Sequence, residues 1–216
     1  METIRVAIVE DDQDIRQSFE AIIDSTPGFA CVKTYDNAED AVEDLPLEKP
    51  DVVIMDLQLP DRDGISTTAD LMRSHPDLKV LILTAHAGPS EMARAGAAGA
   101  SGFLTKDGAL TDVLDALRGA RRGSLILPPS VIAGFAARGP VTIGQTDVGL
   151  TPREMEVLQL LGQGRDPRTI SKELGVSMHT CRGYIKGVLA KLDVHSQLEA
   201  VVVGTRMGLI QVGQGS

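Results

Sequence analysis

The sequence predicts a doubly wound α/β domain with five parallel strands, followed by a small all-α domain of four helices. Three observations carry that prediction. Residues 4–122 alternate short apolar runs with helical patterns, and the runs are apolar at nearly every position, as strands covered on both faces require. Residues 123–149 are interrupted by Gly123, Pro128, Pro129, Gly134, Gly139, Pro140, Gly144 and Gly149, which reads as a linker. Charge divides at the same place: residues 1–150 hold 24 acidic and 13 basic residues, a net of −11, while residues 151–216 hold 6 and 8, a net of +2. Two domains with different partners fit that asymmetry.

The strands read as Ile4–Val9, Phe29–Val32, Asp51–Met55, Leu78–Leu83 and Ser101–Leu104, and the helices as Asp14–Ser25, Ala38–Leu45, Gly64–Ser74, Pro89–Ala98 and Leu110–Arg121. Lys33 and Thr34 intrude on the second run, so it is expected at an edge of the sheet. Within the linker, Ser130–Ala137 is amphipathic enough for a brief helix. The first helix of the second domain opens on Thr151-Pro152-Arg153-Glu154, a capping box with proline at the first helical position. Asp166-Pro167 caps a second helix that ends at Gly175. Ser177 caps a third, with Cys181, Ile185, Val188, Leu189 and Leu192 on its apolar face. A fourth runs from about Ser196 to Met207. The apolar residues of that last helix, Leu198, Val201, Val202, Val203 and Met207 with Leu209 beyond, exceed what one small domain needs to bury. They fit a dimer contact or a deeply buried closing helix.

Composition excludes several classes. No apolar stretch reaches the roughly 18–20 residues that crossing a bilayer takes, and the opening apolar run is too short for a secretory signal. Cys31 and Cys181 stand far apart with no metal-ligand spacing, so a disulfide framework and a zinc site are not indicated and a reducing cytoplasm is expected. Tryptophan is absent and aromatics are 3%, which argues against stacking platforms for single-stranded nucleic acid.

The polar residues at the strand ends form a pattern. Glu10 and Asp11 follow the first strand, Asp56 the third, Thr84 the fourth and Lys106 the fifth. In an open parallel sheet these positions gather at the carboxyl ends, where ligands bind. Three converging carboxylates repel one another unless a cation joins them, and an all-oxygen cluster suits Mg²⁺. A carboxylate beside Mg²⁺, an ammonium and a hydroxyl can accept a phosphoryl group, because its neighbours neutralise the charge on the equatorial oxygens. Acids after strands also cap helices, and Asp12, Asp61 and Asp63 read as caps or loop acids rather than ligands.

Residues 4–122 resemble the receiver domain of two-component response regulators. The resemblance rests on Val9-Glu10-Asp11-Asp12, on Ile54-Met55-Asp56-Leu57-Gln58-Leu59-Pro60-Asp61-Arg62-Asp63-Gly64, on Leu83-Thr84-Ala85 and on Gly102-Phe103-Leu104-Thr105-Lys106. It implies the flavodoxin-like fold, Asp56 as phospho-acceptor, and Glu10 and Asp11 as the acidic Mg²⁺ pair, with the main-chain carbonyl of Gln58 as a further ligand. It also implies that Thr84 contacts a phosphoryl oxygen, that Lys106 forms an ion pair, and that Phe103 is the switch aromatic. Asp107 stands where the family often has proline.

Residues 150–210 resemble the DNA-binding domain of NarL/FixJ, or LuxR-type, regulators. Leu150-Thr151-Pro152-Arg153-Glu154-Met155-Glu156-Val157-Leu158 matches the opening signature; Ile170, Leu174, Val176-Ser177, Thr180, Leu189, Lys191-Leu192 and Glu199-Ala200 match later positions. The resemblance implies a helix-turn-helix whose third helix enters the major groove. On that helix His179, Arg182, Gly183 and Lys186 share the face opposite the apolar stripe, and with Thr180 they are the candidate DNA contacts. Gly183 and Gly187 depart from the family's bulkier side chains, and two glycines inside a helix cost about 1 kcal/mol each relative to alanine.

Together these features imply a transcription factor rather than an enzyme. The expected domains are a receiver over 1–123, a linker over 124–149 and a helix-turn-helix domain over 150–216. A sensor histidine kinase or a small phosphodonor is expected to phosphorylate Asp56 with Mg²⁺, controlling homodimerisation and binding to double-stranded DNA in the cytoplasm. The alternative is an atypical regulator of the same fold controlled by a ligand or a protein. A phosphohydrolase of the haloacid-dehalogenase type would carry an acid two residues after the nucleophile, where Gln58 stands.

Overall fold

The computed structural model describes residues 3–85, 88–108, 110–127 and 148–211. The first domain runs β1 (Ile4–Val9), α1 (Gln13–Ser25), β2 (Phe29–Tyr35), α2 (Ala38–Glu48), β3 (Val52–Asp56), α3 (Gly64–Ser74), β4 (Lys79–Thr84), α4 (Pro89–Ala97), β5 (Gly102–Thr105) and α5 (Leu110–Arg122). The strands are parallel in the order β2-β1-β3-β4-β5. β2 is an edge strand, as its two polar residues predict.

Side-chain alternation divides each central strand between two cores. Val6 and Ile8 of β1, Val52 and Ile54 of β3, and Leu81 and Leu83 of β4 join Phe19, Ile23, Val113 and Leu117 from α1 and α5. Their neighbours Ala7, Val9, Val53, Met55, Val80 and Ile82 join Ala41, Leu45, Leu71 and Met92 from α2, α3 and α4. A period of two on strands buried on both sides yields this three-layer arrangement.

The predicted caps are present. Asp12 accepts from the N–H groups of Asp14 and Ile15 at the start of α1, and Asp63 accepts from Ile65 at the start of α3. Asp61 reaches back to α2, where its carboxylate accepts from Ala38 and Glu39 at 2.9–3.0 Å alongside the local cap Asn37. That bond ties the β3–α3 loop to a helix 23 residues earlier in the chain. α2 runs three residues past the expected stop because Pro46 falls in its last turn, where a missing N–H removes one terminal bond and no more.

The four helices of the second domain are α6 (Pro152–Gly162), α7 (Pro167–Glu173), α8 (Met178–Leu192) and α9 (Gln197–Arg206). Thr151, Asp166, Ser177 and Ser196 cap them in turn, and the Thr151–Glu154 capping box is complete. Val157, Leu158, Leu161, Ile170, Cys181, Ile185, Val188, Leu192 and Val201 are buried and continuous with the α2–α3–α4 core of the first domain. The expected helix at Ser130–Ala137 lies outside the described residues.

Just beyond α5 the chain returns to the sheet. Ile126 forms a parallel bridge with Gly102; Phe103 N–H donates to the Ile126 carbonyl at 2.8 Å and Ile126 N–H to that of Ser101 at 3.2 Å. Pairing thus extends three residues into the stretch that sequence reads as linker. Gly102, at φ +154°, is required there, since a Cβ would sit 2.1 Å from the Ile126 oxygen.

Gly64 is constrained more tightly still. A Cβ at this position would meet the Asp56 carbonyl oxygen at 1.8 Å, and because that atom is backbone no rotamer relieves the clash. Gly64→Ala should therefore cost about 3 kcal/mol or more, as overpacking against an immovable atom does, and should lower the urea midpoint of the full chain accordingly. A midpoint equal to that of the parent would contradict the close approach.

Candidate functional site

The carboxyl ends of β1, β3, β4 and β5 bring the predicted residues together. Glu10 is wholly buried and Asp56 nearly so, at 0% and 2% exposure, and Thr84 beside them is buried as well. The Lys106 ammonium lies 3.0 Å from Asp56 Oδ1 and donates to Glu10 Oε1 at 2.9 Å, with Glu10 Oε2 2.8 Å away. Asp11 is exposed at the rim, yet one oxygen from each of Glu10, Asp11 and Asp56 falls within 4.8 Å of the others. Burial pushes both the Glu10 and Asp56 carboxyls above their usual range, the ammonium opposes the shift, and the neighbouring acids add to it. Burial also works against the Lys106 charge, but its two carboxylate partners outweigh that and hold its pKa above the ordinary value.

A divalent cation fits this cluster. Three carboxylates face one ammonium, and one oxygen from each lies within 4.8 Å of the others, an all-oxygen donor set with negative charge in excess. The Gln58 N–H donates to the Asp56 carboxylate, while the Gln58 side chain is exposed. Phe103 is fully buried.

Two supporting residues escaped the sequence reading. Arg16 Nη1 donates to the carbonyls of Glu10 and Asp11 at 2.6 and 3.1 Å, holding the acidic loop against α1. A cation in the opening turn of a helix opposes the helix dipole, and that misplacement was the available signal. Arg94 of α4 pairs with Asp63 at the start of α3, an ion pair between residues 31 apart that no local pattern marks.

On α8, His179, Thr180, Arg182, Gly183 and Lys186 are all exposed, and Cys181 lies opposite them, fully buried, with its Sγ directed at the Pro167 carbonyl. The two glycines have different surroundings. A Cβ at Gly187 would meet Glu154 Oε1 at 2.4 Å, whereas nothing lies within 4 Å of Gly183. Gly187 thus makes room for Glu154, which is buried and links α6 to α8 by accepting from Thr151 N–H and from Lys191 Nζ, both at 2.7 Å. Gly183 leaves a gap in the outward face.

The family described as "Response regulator receiver domain" matches residues 6–118, and "Bacterial regulatory proteins, luxR family" matches residues 148–203. Among curated relatives, "Transcriptional regulatory protein DegU" of Brevibacillus brevis is 29% identical, covering 97% of this chain and 96% of its own length. "Uncharacterized transcriptional regulatory protein YvfU" of Bacillus subtilis is 31% identical, over 96% and 100%. Among solved structures, the response regulator ChrA of a heme-sensing two-component system aligns with a TM-score of 0.53 at 29% identity, over 97% of this chain and 100% of that one.

The Glu154 link gives a pH signature. Burial pushes this carboxyl up, but the Lys191 ammonium and the Thr151 donors outweigh it and hold it below the usual range. A depressed folded pKa contributes stability above the unfolded value of about 4.3, lost as pH falls through the folded one. Glu154→Gln should therefore melt below the parent at pH 7, and the difference in Tm should shrink under pH 4. A constant difference from pH 7 to pH 3 would refute the ion-pair contribution.

Proposed function

The chain belongs to the response regulator receiver family and carries a LuxR-type DNA-binding domain, and from that premise we propose that phosphorylation of Asp56 governs its dimerisation and its binding to promoter DNA. The observation that carries this reading is the Lys106 ammonium shared by two buried carboxylates, with Thr84 alongside. In the proposed reaction an Asp56 carboxylate oxygen forms a bond to phosphorus as the bond from phosphorus to the donor's leaving group breaks. Lys106 neutralises charge on the incoming group, Thr84 offers its hydroxyl to a phosphoryl oxygen, and the Gln58 N–H steadies the attacking carboxylate. Glu10, Asp11 and Asp56, with the Gln58 main-chain carbonyl, would hold Mg²⁺, which when bound supplies positive charge to the equatorial oxygens. Movement of Thr84 and Phe103 towards the phosphoryl group would carry the signal away from the site.

The donor in this reading is a sensor histidine kinase or a small phosphodonor, and the protein works in the cytoplasm as a homodimer on double-stranded DNA. No helix among the described residues is long and apolar enough to cross a membrane. The chain acts as a regulator with no external substrate. We assign the receiver to residues 1–123, the linker to 124–149 and the helix-turn-helix domain to 150–216. Arg182 and Lys186 are assigned base contacts, His179 and Thr180 flank them, and the open face at Gly183 leaves discrimination to hydrogen bonds rather than to contact with a thymine methyl.

Incubation with acetyl phosphate and Mg²⁺ should add one phosphoryl mass to the intact chain. Asp56→Asn should abolish that addition, and Asp11→Ala should remove Mg²⁺ binding, read by titration, while leaving the fold intact. Undiminished labelling of Asp56→Asn would sink the assignment, and an unlabelled parent would favour control by a ligand or protein.

DNA reading has its own test. With an operator selected from random duplexes, Arg182→Ala should cost about 1–3 kcal/mol and relax preference at one base pair. An equal loss on operator and random DNA would reduce Arg182 to a phosphate contact.

A further inference from the structure

We infer that the cleft at the amino ends of β3 and β4, at the opposite end of the sheet from Asp56, binds a short aliphatic carboxylate. The cleft holds about 590 Å³, within the roughly 300–1,000 Å³ typical of small-molecule sites, against about 170 Å³ for the cleft between the domains. Leu45 of α2, Leu71 of α3 and Leu78 ahead of β4 give it apolar walls, which Pro46, Pro50 and Pro76 extend. Among the described residues no Phe, Tyr or Trp lines it. A planar ring therefore finds no aromatic face to stack on, and the aliphatic walls favour an alkyl chain. Those walls are already in place. Arg5 Nη2 and Nε donate to the Glu48 and Lys49 carbonyls at 2.6 and 3.3 Å, fixing the end of α2. In the α3–β4 turn, His75 N–H donates to the Leu71 carbonyl at 2.8 Å and Leu78 N–H to that of His75 at 3.1 Å. Binding has little backbone left to order.

Charge selects the head group. Residues 1–150 hold 13 basic against 24 acidic residues, a net of −11, yet this cleft gathers Lys49, Lys79 and Arg121 against Asp51 and Asp77. Asp51 is already engaged: its carboxylate lies 3.6 Å from Arg121 Nε and accepts from Arg5 N–H at 2.8 Å. The Lys49 and Lys79 ammoniums have no acidic partner within 4 Å among the described residues. Lys79 opens β4 beside Val52 and is half-buried. Lys49 closes α2 in the left-handed conformation, at φ +48°. Glycine adopts that conformation without strain, so a lysine held there at the edge of a cleft points to a use for its charge. Two unpaired cations beside an aliphatic wall match one carboxylate on a short alkyl chain.

The test is titration calorimetry of the full-length chain with octanoate, octan-1-ol and acetate. Octanoate should bind at least tenfold more tightly than octan-1-ol, which has the chain without the charge. It should also bind at least tenfold more tightly than acetate, which has the charge without the chain. In amide NMR spectra octanoate should shift residues 45–51, 71–79 and 121 and leave those around Asp56 unmoved. Lys49→Gln combined with Lys79→Gln should bring octanoate down to the affinity of octan-1-ol. Ser74→Trp, at an exposed position on the lining, should fill the cleft and weaken both ligands. No binding of octanoate, or equal affinity for octanoate and octan-1-ol, would overturn the carboxylate site. Acetate binding as tightly as octanoate would mean an adventitious ion only and overturn it too. So would a double lysine variant that keeps the parent's affinity, or amide shifts gathered elsewhere in the chain. Every arm is read on the unphosphorylated protein, so failure here leaves the assignment of Asp56 untouched.

Discussion

Two buried carboxylates meet at the ends of β1 and β3, and the Lys106 ammonium makes that meeting tolerable. Without it, Glu10 and Asp56 would be two desolvated like charges, an arrangement that folding expels or protonates. With it, the site carries one positive group against three acids and keeps a net negative charge. The surrounding architecture serves this contact. The parallel sheet sets the carboxyl ends of β1, β3, β4 and β5 in a row, Arg16 fixes the β1–α1 loop, and Gly64 lets the α3 start press against the carbonyl of Asp56.

Much of this was legible in the sequence because it is local or periodic. Apolar runs placed the strands, and Lys33 and Thr34 put β2 at the edge. Asp12, Asp63, Thr151, Asp166 and Ser177 announced helix starts that the structure contains. The strand-end residues were legible too, since a parallel sheet delivers its carboxyl ends to one place. Contacts set by distant elements escaped. Asp61 caps α2 and not its own helix, Ile126 pairs with β5, and Gly187 is small because Glu154 from another helix needs its space. In each case the residue's partner is remote in sequence and chosen by the tertiary fold.

The second domain shows how one residue can serve two scales at once. Ser196 satisfies an orphan N–H at the start of α9 and also bonds the carbonyl of Gly96 across the domain boundary. Helix capping and domain docking share that hydroxyl, so local helix chemistry and global arrangement are coupled through a single side chain.

The pairing of Ile126 with β5 has a further consequence. β5 is the last strand of the sheet, and a bare outer strand offers its free N–H and C=O groups to any extended chain. Here the chain covers part of its own edge as it leaves α5, and Gly102 is the concession that lets it approach. A variant that loosens the two Ile126 hydrogen bonds would bare the edge of β5 as a template for strand addition and become more prone to aggregate.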